Sequence, residues 1–215
     1  MEVPEANIRI MESSSKESDT CVWDDEALAI RCFEECATGK ISQKDIYKRL
    51  CAPEWVMRYV ELTSKPFGSR SEHYLRTALK LDKATDSGHD AKCLGVKIEI
   101  KTARYWKTSE TELRKSILDE SILDAKFQHL EEGHDFQVLL VALLTSRSYR
   151  CWAIKRDDVF GVMLDAGVVT VQGKKDGSSK EGHWFELQKA MKKGFIGDHN
   201  LIRNRGDLER IIASL

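Results

Sequence analysis

Asp90, Glu99 and Lys101 are the residues whose types and spacing could do chemistry together. From Val96 to Lys101 the side chains alternate, with Val96, Ile98 and Ile100 on one face and Lys97, Glu99 and Lys101 on the other. That alternation predicts a strand half in the core. Glu99 and Lys101 then stand side by side, an acid and a base about 7 Å apart along the strand. Taken alone, a Lys-Glu-Lys face is what any half-exposed strand carries. Asp90 adds to it: it lies nine residues before Glu99, just after the turn-former Gly88, where a hairpin or bulged approach folds it back beside Glu99. Two carboxylates at one strand end repel each other unless a cation lies between them. Hard oxygen donors with open positions suit Mg²⁺, an ion that keeps waters and favours phosphate partners. A lysine beside it can hold or deprotonate the attacking water, or stabilise charge developing on phosphate. Such a set is the minimum for metal-assisted phosphodiester hydrolysis. Asp86 is the rival for the first acid.

The elements that must position these residues follow from pattern. Ala27, Ile30, Phe33 and Ala37 recur at helical spacing before Gly39, a C-cap position for glycine. Ser42 with Asp45 opens a second helix carrying Ile46 and Leu50, and Pro53 opens a third with Val56, Tyr59 and Val60. Ser69 with Glu72 reads as the capping box of a helix holding Tyr74, Leu75, Ala78 and Leu81. Asp86, Ser87 and Gly88 make a polar turn before the alternating strand. Ser109 with Glu112 predicts a long helix through Ile117, Ile122 and Leu130 that ends near Gly133, with His129 and His134 flanking its end. Phe136 to Leu144 is a near-continuous apolar run, a strand buried on both faces, and Arg150 to Ile154 is its hairpin partner. A short helix is expected over Asp157 to Leu164, a strand over Val168 to Val171, and a polar loop over Gly173 to Gly182. The order predicts an α/β sandwich around one mixed sheet.

Composition bounds the class. The chain has 215 residues, 41% hydrophobic and 32% charged, with net charge −1; that is enough for one domain with a small accessory unit. The longest apolar run, Val138 to Leu144, is far short of the ~20 residues of a membrane helix, so no membrane association is expected. Residues 1–20 hold two basic and five acidic residues and few large apolar ones, as in a disordered acidic tail, and they lack the apolar core of a secretion signal. An intracellular, cytoplasmic protein with reduced thiols is the expectation for its six cysteines. Cys21, Cys32, Cys36 and Cys51 match no common zinc spacing. The near-zero net charge argues against a binder that relies on bulk charge, but Arg147 to Leu215 carries 13 Lys and Arg against 9 Asp and Glu, a basic final third.

Ser87-Gly88-His89-Asp90 followed by Val96-Lys97-Ile98-Glu99-Ile100-Lys101-Thr102 resembles the PD-(D/E)xK nuclease superfamily, especially type II restriction endonucleases. Lys126 to Leu130, then Phe136 to Leu144 and Cys151 to Lys155, resemble the helix and strands that follow the motif in such enzymes. The likeness covers about Gly68 to Trp184, with His89 where many members carry proline. It implies a restriction-endonuclease-like α/β/α sandwich with a central mixed β-sheet over residues 66–215, preceded by a helical accessory unit over residues 21–65. It implies that Asp90 and Glu99 hold a divalent metal with the Ile100 carbonyl, and that Lys101 orients or activates water. Glu72 could bind a second metal through water or serve only as the capping acid. Gln128 could face the scissile phosphate or DNA backbone, or be a helix-surface amide. Mg²⁺ is the expected cofactor, with Mn²⁺ able to substitute, and double-stranded DNA the substrate.

Contacts to DNA are expected from loops around the cleft: Arg104 and Lys107 beside Tyr105 and Trp106, and Lys174, Lys175 and His183 in or beside the polar loop. Cutting both strands of a palindromic duplex most simply takes a two-fold homodimer. The resulting expectation is a sequence-specific DNA endonuclease of restriction type. A junction resolvase, a repair nuclease, or a non-catalytic DNA-binding protein on the same fold are the alternatives.

Overall fold

The computed structural model describes Lys44, Tyr47, Lys48 and residues 52–104, 125–145, 147–173 and 180–215. The N-terminal tail, the first expected helix and the stretch from Ser109 to Asp124 lie outside them. The chain is mixed α/β, with a six-stranded mixed sheet and a smaller three-stranded one.

Helix α1 (Glu54–Val60) starts after Pro53, which occupies the N-cap position in an extended conformation, and buries Val56 and Val60. Helix α2 (Ser64–Ala78) begins at Thr63 rather than at the expected Ser69. Pro66 does not stop it, because a first-turn proline gives up only an N–H that has no helical partner. Glu72 is therefore mid-helix and caps nothing.

Strands β1 (Asp82–Lys83), β2 (Ala91–Cys93) and β3 (Val96–Arg104) form an antiparallel meander at one edge of the large sheet. Leu94 and Gly95 join β2 to β3, both at positive φ, as the tightest two-residue hairpins require. β4 (Lys126–Leu130) belongs to the small sheet. β3 runs parallel to β5 (Val138–Leu144), whose seven residues are all buried, and β5 pairs antiparallel with β6 (Tyr149–Lys155). β9 (Leu201–Ile202) closes the far edge. The small sheet has the order β4–β8–β7, with β7 at Val169–Gly173 and β8 at Lys180–Glu186.

Three expectations fail here. Lys126 to Leu130 is a strand and not the end of a long helix: Phe127 and Leu130 bury themselves by pairing with β8, and Phe127 packs against Phe185. Helical spacing lost to the sheet ladder. The expected polar loop is likewise shorter, since β8 takes up Lys180 to Glu186. The expected helix over Asp157 to Leu164 is two short ones, α3 (Arg156–Phe160) and α4 (Val162–Asp165), with Gly161 between them. Helices α5 (Leu187–Lys192) and α6 (Arg205–Ile212) complete the chain.

The core has two parts on the two faces of the large sheet. One gathers Leu139, Val141, Leu143, Trp152 and Ile154 with Phe127 and Phe185 of the small sheet and with Val56, Val60 and Phe67. The other gathers Ile98, Ile100, Leu140 and Ala153 with Leu75 of α2 and Leu208 of α6. Glu99, Lys101 and Ala103 point toward the first. Cys93 and Cys151 are buried free thiols, and burial pushes Cys151 up to about 12. No helix among the described residues is long and apolar enough to cross a membrane.

The Leu94–Gly95 turn fixes the register that the candidate site depends on. Leu94 is 63% exposed at φ 51°, a conformation that asparagine tolerates far better. Leu94→Asn should raise stability by about 0.5–1 kcal/mol, read as a higher urea midpoint at unchanged slope; a lower midpoint would show that the leucine side chain is needed.

Candidate active site

The turn sets Cys93 opposite Val96 and Ala91 opposite Ile98. One step before Ala91, beyond the end of β2, the Asp90 amide donates to the Ile98 carbonyl at 2.9 Å. Beyond that point the strand partner is a side chain: the Ile100 amide donates to Asp90 Oδ2 at 2.7 Å. The N–H and C=O of one strand residue face the same side, so the Ile100 carbonyl is turned to the same edge as Asp90. The bond from Ile100, the residue after Glu99, holds the Asp90 carboxylate beside this stretch of β3.

Glu99 is 3% exposed, and Lys101 Nζ lies 2.6 Å from its Oε1. On the same carboxylate converges His134, which the sequence placed only beside the end of the expected long helix. His134 Nδ1 is 3.5 Å from Glu99 Oε1, while its Nε2 is 3.1 Å from Glu131 Oε2. His134 precedes β5, 35 residues from Glu99; the parallel β3–β5 pairing alone brings them together, so no local signal marked it. Asp86, the rival acid, is half exposed and bound to Lys92 Nζ at 3.1 Å. His89, in the position where proline was looked for, has a buried side chain with Nε2 3.6 Å from Asp86 Oδ1.

Glu72 joins the site from α2. Burial first, then the negative charge of Asp90, pushes its carboxyl above the ordinary range; Glu99 adds to the rise, while Arg76 and Lys101 oppose it. Arg76 Nε is 3.3 Å from Glu72. Three carboxylates on three different elements therefore sense one another across a half-buried edge.

Beside Lys101 opens a cleft of about 470 Å³, lined by Ser64, Lys65, Phe67 and Gly68 of α2, Lys101 to Arg104 of β3, and Lys126, Gln128 and His129 of β4. Gln128 is here, as expected of a substrate contact, but it comes from a strand. Two expected contacts are corrected. Arg104 is committed to the fold: its Nη1 donates to the Val60 and Leu62 carbonyls at 2.7 and 2.9 Å, and its guanidinium lies 4.6 Å from the Phe67 ring centre. His183 sits inside β8, buried, with Nδ1 3.2 Å from the Leu130 carbonyl oxygen. Lys107, Lys174 and Lys175 lie outside the described residues.

Among the described residues no group of three or more His, Cys, Asp and Glu is arranged to hold a metal ion. The donors that the sequence offered are two carboxylates, Asp90 and Glu99, and the Ile100 carbonyl. A set so sparse and all-oxygen suits an ion that keeps most of its waters, such as Mg²⁺, and not a closed nitrogen–sulfur cage. Compared with protein-family models and with curated proteins, the chain finds no match.

Glu72 gives this electrostatic picture a test. Its folded pKa is raised, so its favourable contribution is present below the unfolded pKa and is lost as pH rises through the folded one. At neutral pH the ionised side chain is a liability. Glu72→Gln should raise the urea midpoint at pH 7–8, and the gain should vanish toward pH 4. An equal gain at both pH values would mean that charge is not the cause.

Proposed function

We propose that the protein is a divalent-metal-dependent DNA endonuclease of restriction type, built on a restriction-endonuclease-like α/β/α sandwich. What supports the reading is the end of the β2–β3 hairpin, where the Asp90 carboxylate accepts the amide of Ile100, the residue between Glu99 and Lys101, and Lys101 stands at ion-pair distance from Glu99. A protein gains nothing structural from gathering carboxylates at a half-buried edge. The arrangement makes sense where a dication completes it.

In this reading Asp90, Glu99 and the Ile100 carbonyl hold Mg²⁺, for which Mn²⁺ substitutes. When bound, the ion supplies Lewis-acid stabilisation of the charge that gathers on the scissile phosphate and lowers the pKa of a coordinated water. The chain's own residues do the rest. Lys101 exchanges part of its contact with Glu99 for the attacking water, which its ammonium orients by donating an N–H and whose developing negative charge it stabilises, the water's proton passing to solvent. The Ile100 amide fixes Asp90, so that Oδ1 is left to face the ion. Glu72, whose carboxyl burial and then Asp90 push above the ordinary range, would reach the same edge through water. Gln128 holds a phosphate or sugar oxygen of the backbone. One such site cuts one strand, so cleavage of both strands at a palindrome calls for a homodimer on DNA.

Incubation with plasmid DNA and Mg²⁺, followed by sequencing of the ends, is the direct test. Defined ends support a restriction activity, cutting confined to four-way junctions a resolvase, and intact plasmid overturns the reading. Asp90→Asn and Glu99→Gln should abolish cleavage with little change in the thermal midpoint. Lys101→Ala should lower turnover by about 10²–10⁴-fold while leaving DNA affinity nearly unchanged; a parallel loss of affinity would make Lys101 a phosphate contact only.

A further inference from the structure

The cleft beside Lys101 has an unusual lining for a protein of net charge −1. Its described wall carries Lys65, Lys101, Lys126 and Arg104 and no carboxylate. Lys101 also pairs with Glu99, and Arg104 also donates to backbone carbonyls. Lys65 comes from α2 and Lys126 from β4. A concave, single-signed surface of this kind focuses field and attracts a polyanion.

The β4 wall is also bent in a particular way. The β4–β8 register shifts between Phe127 and Leu130, and within the shift His129 takes φ 56°. A non-glycine residue in left-handed backbone is uncommon inside a strand. The conformation is braced from three sides. The buried Gln172 accepts the His129 N–H through Oε1 at 3.1 Å. The Leu130 carbonyl meets His183 Nδ1. Gly182 leaves room that a Cβ would fill, 2.8 Å from the Leu130 oxygen. Glycine would adopt the same bend without strain, yet the chain keeps a histidine there, exposed and lining the cleft. A bulge of this sort re-aims side chains, and strain held by so many supports marks a position kept for what its side chain meets.

We propose that this cleft is the track for the phosphodiester backbone of a nucleic acid leading to Lys101, with Lys65 and Lys126 as phosphate contacts and His129 as a strained positioning residue on the bulge. The nuclease reading is needed only to name the polyanion. His129 donates a ring N–H to a phosphate or sugar oxygen beside the Gln128 amide, and the lysines supply the charge.

The test measures binding of the full chain to a labelled duplex by fluorescence anisotropy, with Ca²⁺ in place of Mg²⁺, products checked to be uncut, and salt varied. Lys65→Ala and Lys126→Ala should each reduce the slope of log affinity against log salt by about 0.9. Lys193→Ala, an exposed lysine outside the cleft lining, should leave it unchanged. His129→Gly should weaken binding several-fold while keeping or raising the thermal midpoint, because glycine relieves the left-handed strain. No slope change in either cleft variant, or full affinity in His129→Gly, overturns the proposal, as does a wild-type chain that fails to bind at low salt. Wild-type binding with the expected slopes but no cleavage in Mg²⁺ leaves the track standing and removes the nuclease reading. Cleavage by wild type with unaltered slopes in both lysine variants does the reverse.

Discussion

Where β2 stops, the Asp90 carboxylate takes over the role of a backbone partner and accepts the Ile100 N–H. That contact fixes much else. It gives the Ile100 amide a partner beyond the end of β2, and it holds an acid on the residue that follows Glu99. The same two-residue turn that permits it also decides which face every β3 side chain takes. A slip of one residue would send Glu99 to the face of Ile98 and Ile100, among Leu75 and Leu140, and bring isoleucine to the site. The apolar alternation of β3 and the chemistry of its other face are thus one constraint.

The rest of the molecule keeps that edge in place. β5 is buried along its whole length and pairs β3 in parallel, a geometry found where both faces of a sheet are covered. α2 and α6 cover one face; the small sheet and the short helices cover the other. Arg104 ties the end of β3 to the turn between α1 and α2 through two carbonyls and the Phe67 ring. Tyr47 makes a similar tie, its hydroxyl donating to the carbonyl of Leu144 at the end of β5. The Tyr149 hydroxyl and Ser71 Oγ lie 2.5 Å apart, joining the start of β6 to α2. These polar clamps all lie near the C-terminal ends of β3 and β5, beside the cleft.

Much of this was legible in sequence where the signal is local. The alternation of Val96 to Lys101 and the unbroken apolar run of β5 each depend on near neighbours, and both strands appear as expected. The failures share a cause. Phe127 and Leu130 fit helical spacing as well as strand pairing, and only Phe185, far along the chain, decides between them. His183 looked like a loop residue because glycines and serines precede it, although β8 begins before it. Glu72 three residues after Ser69 satisfied a capping rule whose helix in fact starts at Ser64. His134 and the lysines of the cleft carried no motif, since parallel pairing and the juxtaposition of two sheets make them neighbours.

The separation of those two sheets matters for how such a protein can change over generations. Asp90, Glu99 and Lys101 are anchored to the meander of the large sheet, whereas Lys126, Gln128 and His129 ride on the edge strand of the small one. The two sets meet across a cleft but share no strand. Replacements on β4 can therefore accumulate without disturbing the hydrogen bond that holds Asp90 or the ion pair of Lys101. A lineage built on this plan can revise what its cleft grips while the carboxylate edge stays as it was.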